Sequence, residues 1–181
     1  VQDNRIKKLY ELGKELNWNV EVNVDWSPEK VEITSEEFEF ENNQWSDHPE
    51  YKKWDTPKRM EFFKDLESWG TSQFLHGEQG ALLVASQLTS CAPTFNAKLY
   101  AASQTFDEAR HVEAFNKYIQ TRLGRRWPIG TALKGLLDKI LTDPRWDLKF
   151  IGMQVVIEGL ALAAFQAAKE GTSDPVLSLI H

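Results

Sequence analysis

Three long stretches of this chain have helical periodicity and no internal proline, and each carries a carboxylate where its apolar stripe should be unbroken: Glu78, Glu108 and Glu158. Glu78 stands among Leu75, Ala81, Leu82 and Leu83. Glu158 stands among Val155, Val156, Ile157, Leu160, Ala161 and Leu162. Neither has a Lys or Arg one turn away to pair with. A carboxylate in an apolar face is costly to bury unless it meets a cation or a hydrogen-bond donor. The helices must therefore bring these groups to a shared interior point. The middle stretch supplies a donor of its own in Glu108-Ala-Arg-His111. Glu and His three positions apart lie about 300° round a helix, on one face.

The rest of the pattern defines an arm and a body. Asp3 to Leu16 predicts a short amphipathic helix, with Ile6, Leu9, Tyr10 and Leu12 on its apolar face and Asp3 as N-cap. Trp18 to Trp26 alternates like a strand but has no second run to pair with, so it is expected to pack in extended form. Residues 27 to 57 are acidic and irregular, interrupted by Pro28, Pro49 and Pro57, and are expected to wrap the core. Residues 1–57 thus form an N-terminal arm and residues 58–181 a helical body. In the body, helices are predicted over Lys58 to Thr89, Asn96 to Leu123 (closed by Gly124), Thr131 to Leu141, and Asp147 to Lys169. The stripe of the last is expected to be Ile151, Val155, Glu158, Leu162 and Phe165. Long helices joined by short connections predict an all-α antiparallel bundle. The chain starts at Val1 and stops within a pattern at His181, so a longer natural chain is expected.

Composition narrows the function. A net charge of −6 argues against nucleic-acid binding, which needs clustered Lys and Arg. The single cysteine, Cys91, excludes an intrachain disulfide and a cysteine-based zinc site. No unbroken apolar run reaches the roughly 18 residues of a membrane span, and the N-terminus is charged. No membrane partner is expected, and a cytoplasmic location is the default.

Carboxylates are hard donors that can bridge two cations, and imidazole adds a borderline donor. Such a set suits iron or manganese and leaves positions open for dioxygen; it is unlike the usual zinc ligand sets. Asp107 and Arg110 flank the ligand candidates and are expected to orient them, a surface ion pair being the alternative. Gln104, one turn before Glu108, faces the same interior, as second-shell or pocket residue or as a helix-packing amide. Phe74, one turn before Glu78, lines a pocket or simply packs.

Three segments carry a resemblance: His76-Gly-Glu-Gln-Gly-Ala, Asp107-Glu-Ala-Arg-His and Gly152-Met-Gln-Val-Val-Ile-Glu-Gly-Leu-Ala. They resemble the ferritin-like non-haem di-iron oxidases and oxygenases, whose wider relatives include ribonucleotide reductase small subunits, bacterial multicomponent monooxygenases, acyl carrier protein desaturases and arylamine N-oxygenases. The resemblance covers residues 58–181. It implies a ferritin-like four-helix bundle whose fourth long helix lies outside this sequence, with a second Glu-x-x-His expected beyond His181 or from a second copy. It implies that Glu78, Glu108, His111 and Glu158 hold two iron ions, with a manganese–iron pair as the alternative. Phe115 stands where the reductase small subunits carry a radical-forming tyrosine, and Leu162 where the monooxygenases carry a threonine. An oxidase or oxygenase with an apolar pocket at Phe74, Phe115 and Leu162 is expected. Its partners would be O2, a small apolar organic substrate, an external electron donor and a second copy in a homodimer. A ferritin-like protein that oxidises or stores iron, or a metal-free structural or ligand-binding homologue, is the alternative.

Overall fold

Asp55 and two prolines fix the longest element. The Asp55 side chain accepts a hydrogen bond from the Lys58 backbone N–H at 3.1 Å, and Pro57 stands in the first turn. At the other end Pro93 drives Ala92 to ψ 144°, out of the helical region. Between them runs an uninterrupted helix. In the computed structural model, which describes residues 4–29, 43–172 and 174–180, the helices are α1 (Asn4–Glu15), α2 (Val20–Asn23), α3 (Pro49–Lys52), α4 (Thr56–Cys91), α5 (Phe95–Tyr118), α6 (Thr131–Thr142), α7 (Trp146–Phe150), α8 (Glu158–Gly171) and α9 (Pro175–Ile180). A π-helical turn, Ile119–Leu123, extends α5 and is closed by Gly124 at φ +69°. A second π-helical segment, Ile151–Ile157, joins α7 to α8 into one continuous helix.

The described residues are all helix and connection, as an all-α chain requires. The arm departs from expectation at Trp18 to Trp26. The Asn19 side chain caps a helical turn by accepting from the N–H groups of Glu21 and Val22, at 2.8 and 3.2 Å. A local cap thus overrides the alternating pattern. Asp3 and residues 30–42, the centre of the acidic segment, lie outside the described residues.

Helices α4 and α5 form the most extensive pair, and α1 lies along α5. One core cluster joins Ala81, Val84 and Leu88 of α4 to Ala101 of α5, Leu137 and Ile140 of α6, and Met153. A second gathers Leu75, Phe115 and Ile119, with Phe74 and Phe165 against them. Buried Lys149 fastens α7 to α6. Its ammonium donates to the carbonyls of Ile140 and Leu141, at 3.0 and 2.9 Å, and to Gln87 Oε1 at 2.7 Å. It thereby satisfies carbonyls that a helix C-terminus leaves unpaired.

The third long helix corrects two expectations. Its π segment has more residues per turn than an α-helix, so the stripe drawn for a regular helix rotates out of register. Met153 is fully buried, while Ile151 and Val155 are 50% and 58% exposed and Leu162 is 69% exposed. The expected stripe survives only at Glu158 and Phe165, both partly buried. The same helix, Trp146–Gly171, is also long and apolar enough to cross a membrane, with mean hydropathy 1.7 in its most apolar window, of which 11% is buried. Glu158 interrupts the apolar run without lowering the mean below that of a spanning helix. Length and composition are all that support a span, and this helix turns its carboxylate toward the protein.

Candidate metal centre

The site is built where α4, α5 and the third long helix face one another. Glu78 of α4 and Glu108 of α5 are buried, 7% and 6% exposed. His111, one turn after Glu108, sits between them. Its Nδ1 lies 3.0 Å from Glu78 Oε2 and 3.2 Å from Glu108 Oε2. One ligand atom from each of the three lies within 4.8 Å of the others, and these residues form a candidate metal-holding group among those described. The sequence placed them near a common centre, and the fold brings these three together.

Glu158 stands beside this group rather than in it. Burial pushes its carboxyl up to about 7; the charge of Glu108 raises it further, and the charge of His111 lowers it. Glu158 is thus close enough to Glu108 and His111 for their charges to act on it, but no hydrogen bond joins it to them among the described contacts.

The electrostatics of the cluster are those of a site short of positive charge. Burial raises the Glu108 carboxyl to about 7; the His111 hydrogen bond opposes this and Glu78 adds to it. For His111, burial favours the neutral ring, but the hydrogen bonds and charges of Glu108 and Glu78 outweigh it and raise the imidazole to about 10. The two buried carboxylates thus share the Nδ1–H of one imidazole, a proton that a metal ion bound there would displace. Hard cations replace such protons readily, and the oxygen-rich donor set with one imidazole fits iron or manganese.

Several neighbours fix the histidine. Asp107 Oδ1 lies 3.8 Å from His111 Nε2, and Asp107 is ion-paired with Arg110. Arg110 is 6% exposed while the Asp107 side chain is 46% exposed, so the pair runs from the surface into the protein. Its guanidinium donates to Asn17 Oδ1 at 2.6 Å and to the Trp18 carbonyl at 2.9 Å. The Trp18 ring stacks on the His111 ring, with centroids 6.1 Å apart and planes at 24°. The sequence signals nothing of Trp18, because the contact joins residues far apart in the chain. Gln104 donates to Gln154 Oε1 and so ties α5 to the π segment before Glu158.

The expected pocket is different from the observed one. Phe74, Phe115 and Phe165 pack on one another, with centroids 4.9 to 5.9 Å apart, and fill the space one turn beyond Glu78 and His111. Leu162 points away into solvent, because the π segment has turned its face outward. Among the described residues, a half-open cavity of about 390 Å³ lies between α1 and α5 and reaches Glu108. His76, two positions before Glu78, is satisfied by Gln79 and the Trp127 carbonyl and takes no part in the cluster.

No family model matches the chain, and no curated protein or solved structure matches it either.

Proposed function

We propose that the chain forms three long helices of a ferritin-like four-helix bundle and is a dioxygen-activating di-iron oxidase or oxygenase. The observation that carries this reading is the meeting of Glu78, Glu108 and the Nδ1 of His111 within 4.8 Å, both carboxylates buried and His111 partly so, with Glu158 on the neighbouring helix near enough to feel their charges. Glu78, Glu108 and His111 would hold one ion, and Glu158 would help hold a second. Bound there, a pair of iron ions supplies the redox change and the open coordination positions that dioxygen needs.

The chain's own residues do the rest. Glu78 and Glu108 neutralise the cations. Trp18 and Asp107 hold the His111 ring in one orientation, which a metal-binding imidazole needs. Phe74, Phe115 and Phe165 exclude water from the far side. A further Glu-x-x-His helix completes the ligand set by covering the apolar face of the third long helix, where Val155, Leu160 and Leu162 are exposed. Electrons come from an external reductase or small redox donor. A homodimer and a cytoplasmic location belong to the same proposal. A ferritin-like iron-storing protein would use the same ligands, but the cavity at Glu108, walled by Leu9, Tyr10 and Phe106, favours an organic substrate.

The test is oxygen uptake after anaerobic loading with Fe(II). The chain is expected to consume dioxygen faster than free Fe(II) does. Glu158→Ala is expected to lose that excess and to bind less iron, while keeping its helical circular dichroism. Its metal-free melting temperature should stay level or rise, since a half-buried carboxylate without a cation is itself unfavourable. Uptake unchanged by Glu158→Ala would overturn the assignment. A large fall in metal-free stability would give Glu158 a structural partner instead.

A further inference from the structure

Helix α1 carries a glycine in its last turns, at position 13, where alanine would make a better helix. Nothing steric demands the glycine. A Cβ there would meet Ser103 Oγ at 3.5 Å and Ser103 Cβ at 3.6 Å, ordinary contact distances. Gly13 and Ser103 are thus near-neighbours where α1 approaches α5, and both border the half-open cavity of about 390 Å³ between these helices.

The lining of this cavity defines what it can take. Leu9 and Tyr10 of α1 and Tyr100 and Phe106 of α5 give it walls that are largely ring and hydrocarbon. The two cations on its lining are paired already, Lys14 with Glu11 at 2.5 Å and Arg110 with Asp107, so the wall offers no free cation to an anionic ligand. Asn17, Ser103 and the two tyrosine hydroxyls add hydrogen-bonding groups along the lining, and Gln104 and the buried Glu108, one turn apart on α5, bring it to the metal cluster through Glu108. Aromatic walls favour a flat ring, which packs on them edge to face. A polar end in a largely apolar chamber favours a ligand with one hydrogen-bonding group placed to meet it. The volume lies near the lower end of the range for small-molecule sites, roughly 300 to 1,000 Å³.

We propose that this α1–α5 chamber is the organic-substrate site, and that it takes a small neutral phenol-like ring whose hydroxyl is directed at Gln104 and Glu108. The inference deepens the oxidase reading and rests on it for the chemistry, but binding in the chamber is independent of metal.

The probe is 4-methylphenol, titrated into the metal-free full chain by calorimetry and by ligand-observed NMR. Co(II) binding is measured on the same samples. Saturable binding is expected, weakened by roughly tenfold or more in Gly13→Leu and nearly unchanged in Gly13→Ala. Ser103→Leu fills the chamber from α5 and is expected to act alike, which covers the case in which Gly13→Leu detaches α1. Equal affinity in wild type and both leucine variants overturns the chamber, as does no binding to a wild type that takes up Co(II). If 4-methylphenol binds and both leucine variants block it while Co(II) does not bind, the chamber stands and the metal reading falls.

Discussion

Glu108→Gln is expected to lower the affinity of the chain for Fe(II) or Co(II) by roughly 100-fold or more, since even residues outside a coordination shell are commonly worth about 10- to 100-fold. The change keeps the shape of the side chain and a hydrogen-bonding atom toward His111, so helical content should be unchanged. It also removes a buried carboxylate whose negative form is disfavoured, since burial holds that carboxyl at about 7. The metal-free variant is therefore expected to melt no lower than the wild type at pH 8. Loss of metal without loss of fold separates a ligand from a structural residue. Equilibrium dialysis with elemental analysis, run beside a thermal melt, reads both. Unaltered affinity would remove Glu108 from the site.

The second large effect is on stability. Glu108 and Glu158 are raised to about 7 from an ordinary 4.5, and His111 to about 10 from an ordinary 6.5. In each case the folded state binds protons more tightly than the unfolded one, so stability falls as pH rises between the two values. The carboxyls act from about pH 4.5 to 7; the contribution of His111 is complete below about 6.5 and is lost as pH approaches 10. The metal-free chain is thus expected to melt lower at pH 8 than at pH 5. Even ~1–2 kcal/mol of this linkage would appear as roughly 2–8 °C in a domain of this size. Metal should reverse the slope, because binding displaces the same protons and strengthens with pH. At free metal 100-fold above Kd the gain is about 2.7 kcal/mol, or roughly 5–11 °C. A metal-free melting temperature that rises steadily to pH 8, or one that metal does not move at pH 8, would contradict the charge-poor cluster described above.

How much of this was legible in the sequence depends on how local each signal is. Asp55, Pro57, Pro93 and Gly124 act within one or two turns, so the bounds of α4 and of α5 with its π-helical extension lie close to where the pattern puts them. Glu78, Glu108 and His111 were legible because charge in an apolar face has few solutions. Leu162 and Val155 were misplaced because the calculation of a face assumes one period, and the π segment at Ile151–Ile157 changes it. The α2 turn escaped because the Asn19 cap competes with an alternating pattern that looked extended. Trp18 over His111 and the closing of Phe165 onto Phe74 join separate parts of the chain, and no spacing announces them.

Glu78, Glu108 and His111 are proposed to hold a metal ion beside Glu158. Anomalous diffraction at the iron edge, from crystals of the iron-loaded chain, tests it most directly. An iron peak is expected at bonding distance, about 2.0–2.2 Å, from a carboxylate oxygen of Glu78, one of Glu108 and the Nδ1 of His111. Iron bound elsewhere on the chain, with His111 Nδ1 still hydrogen-bonded to the two carboxylates, would contradict it.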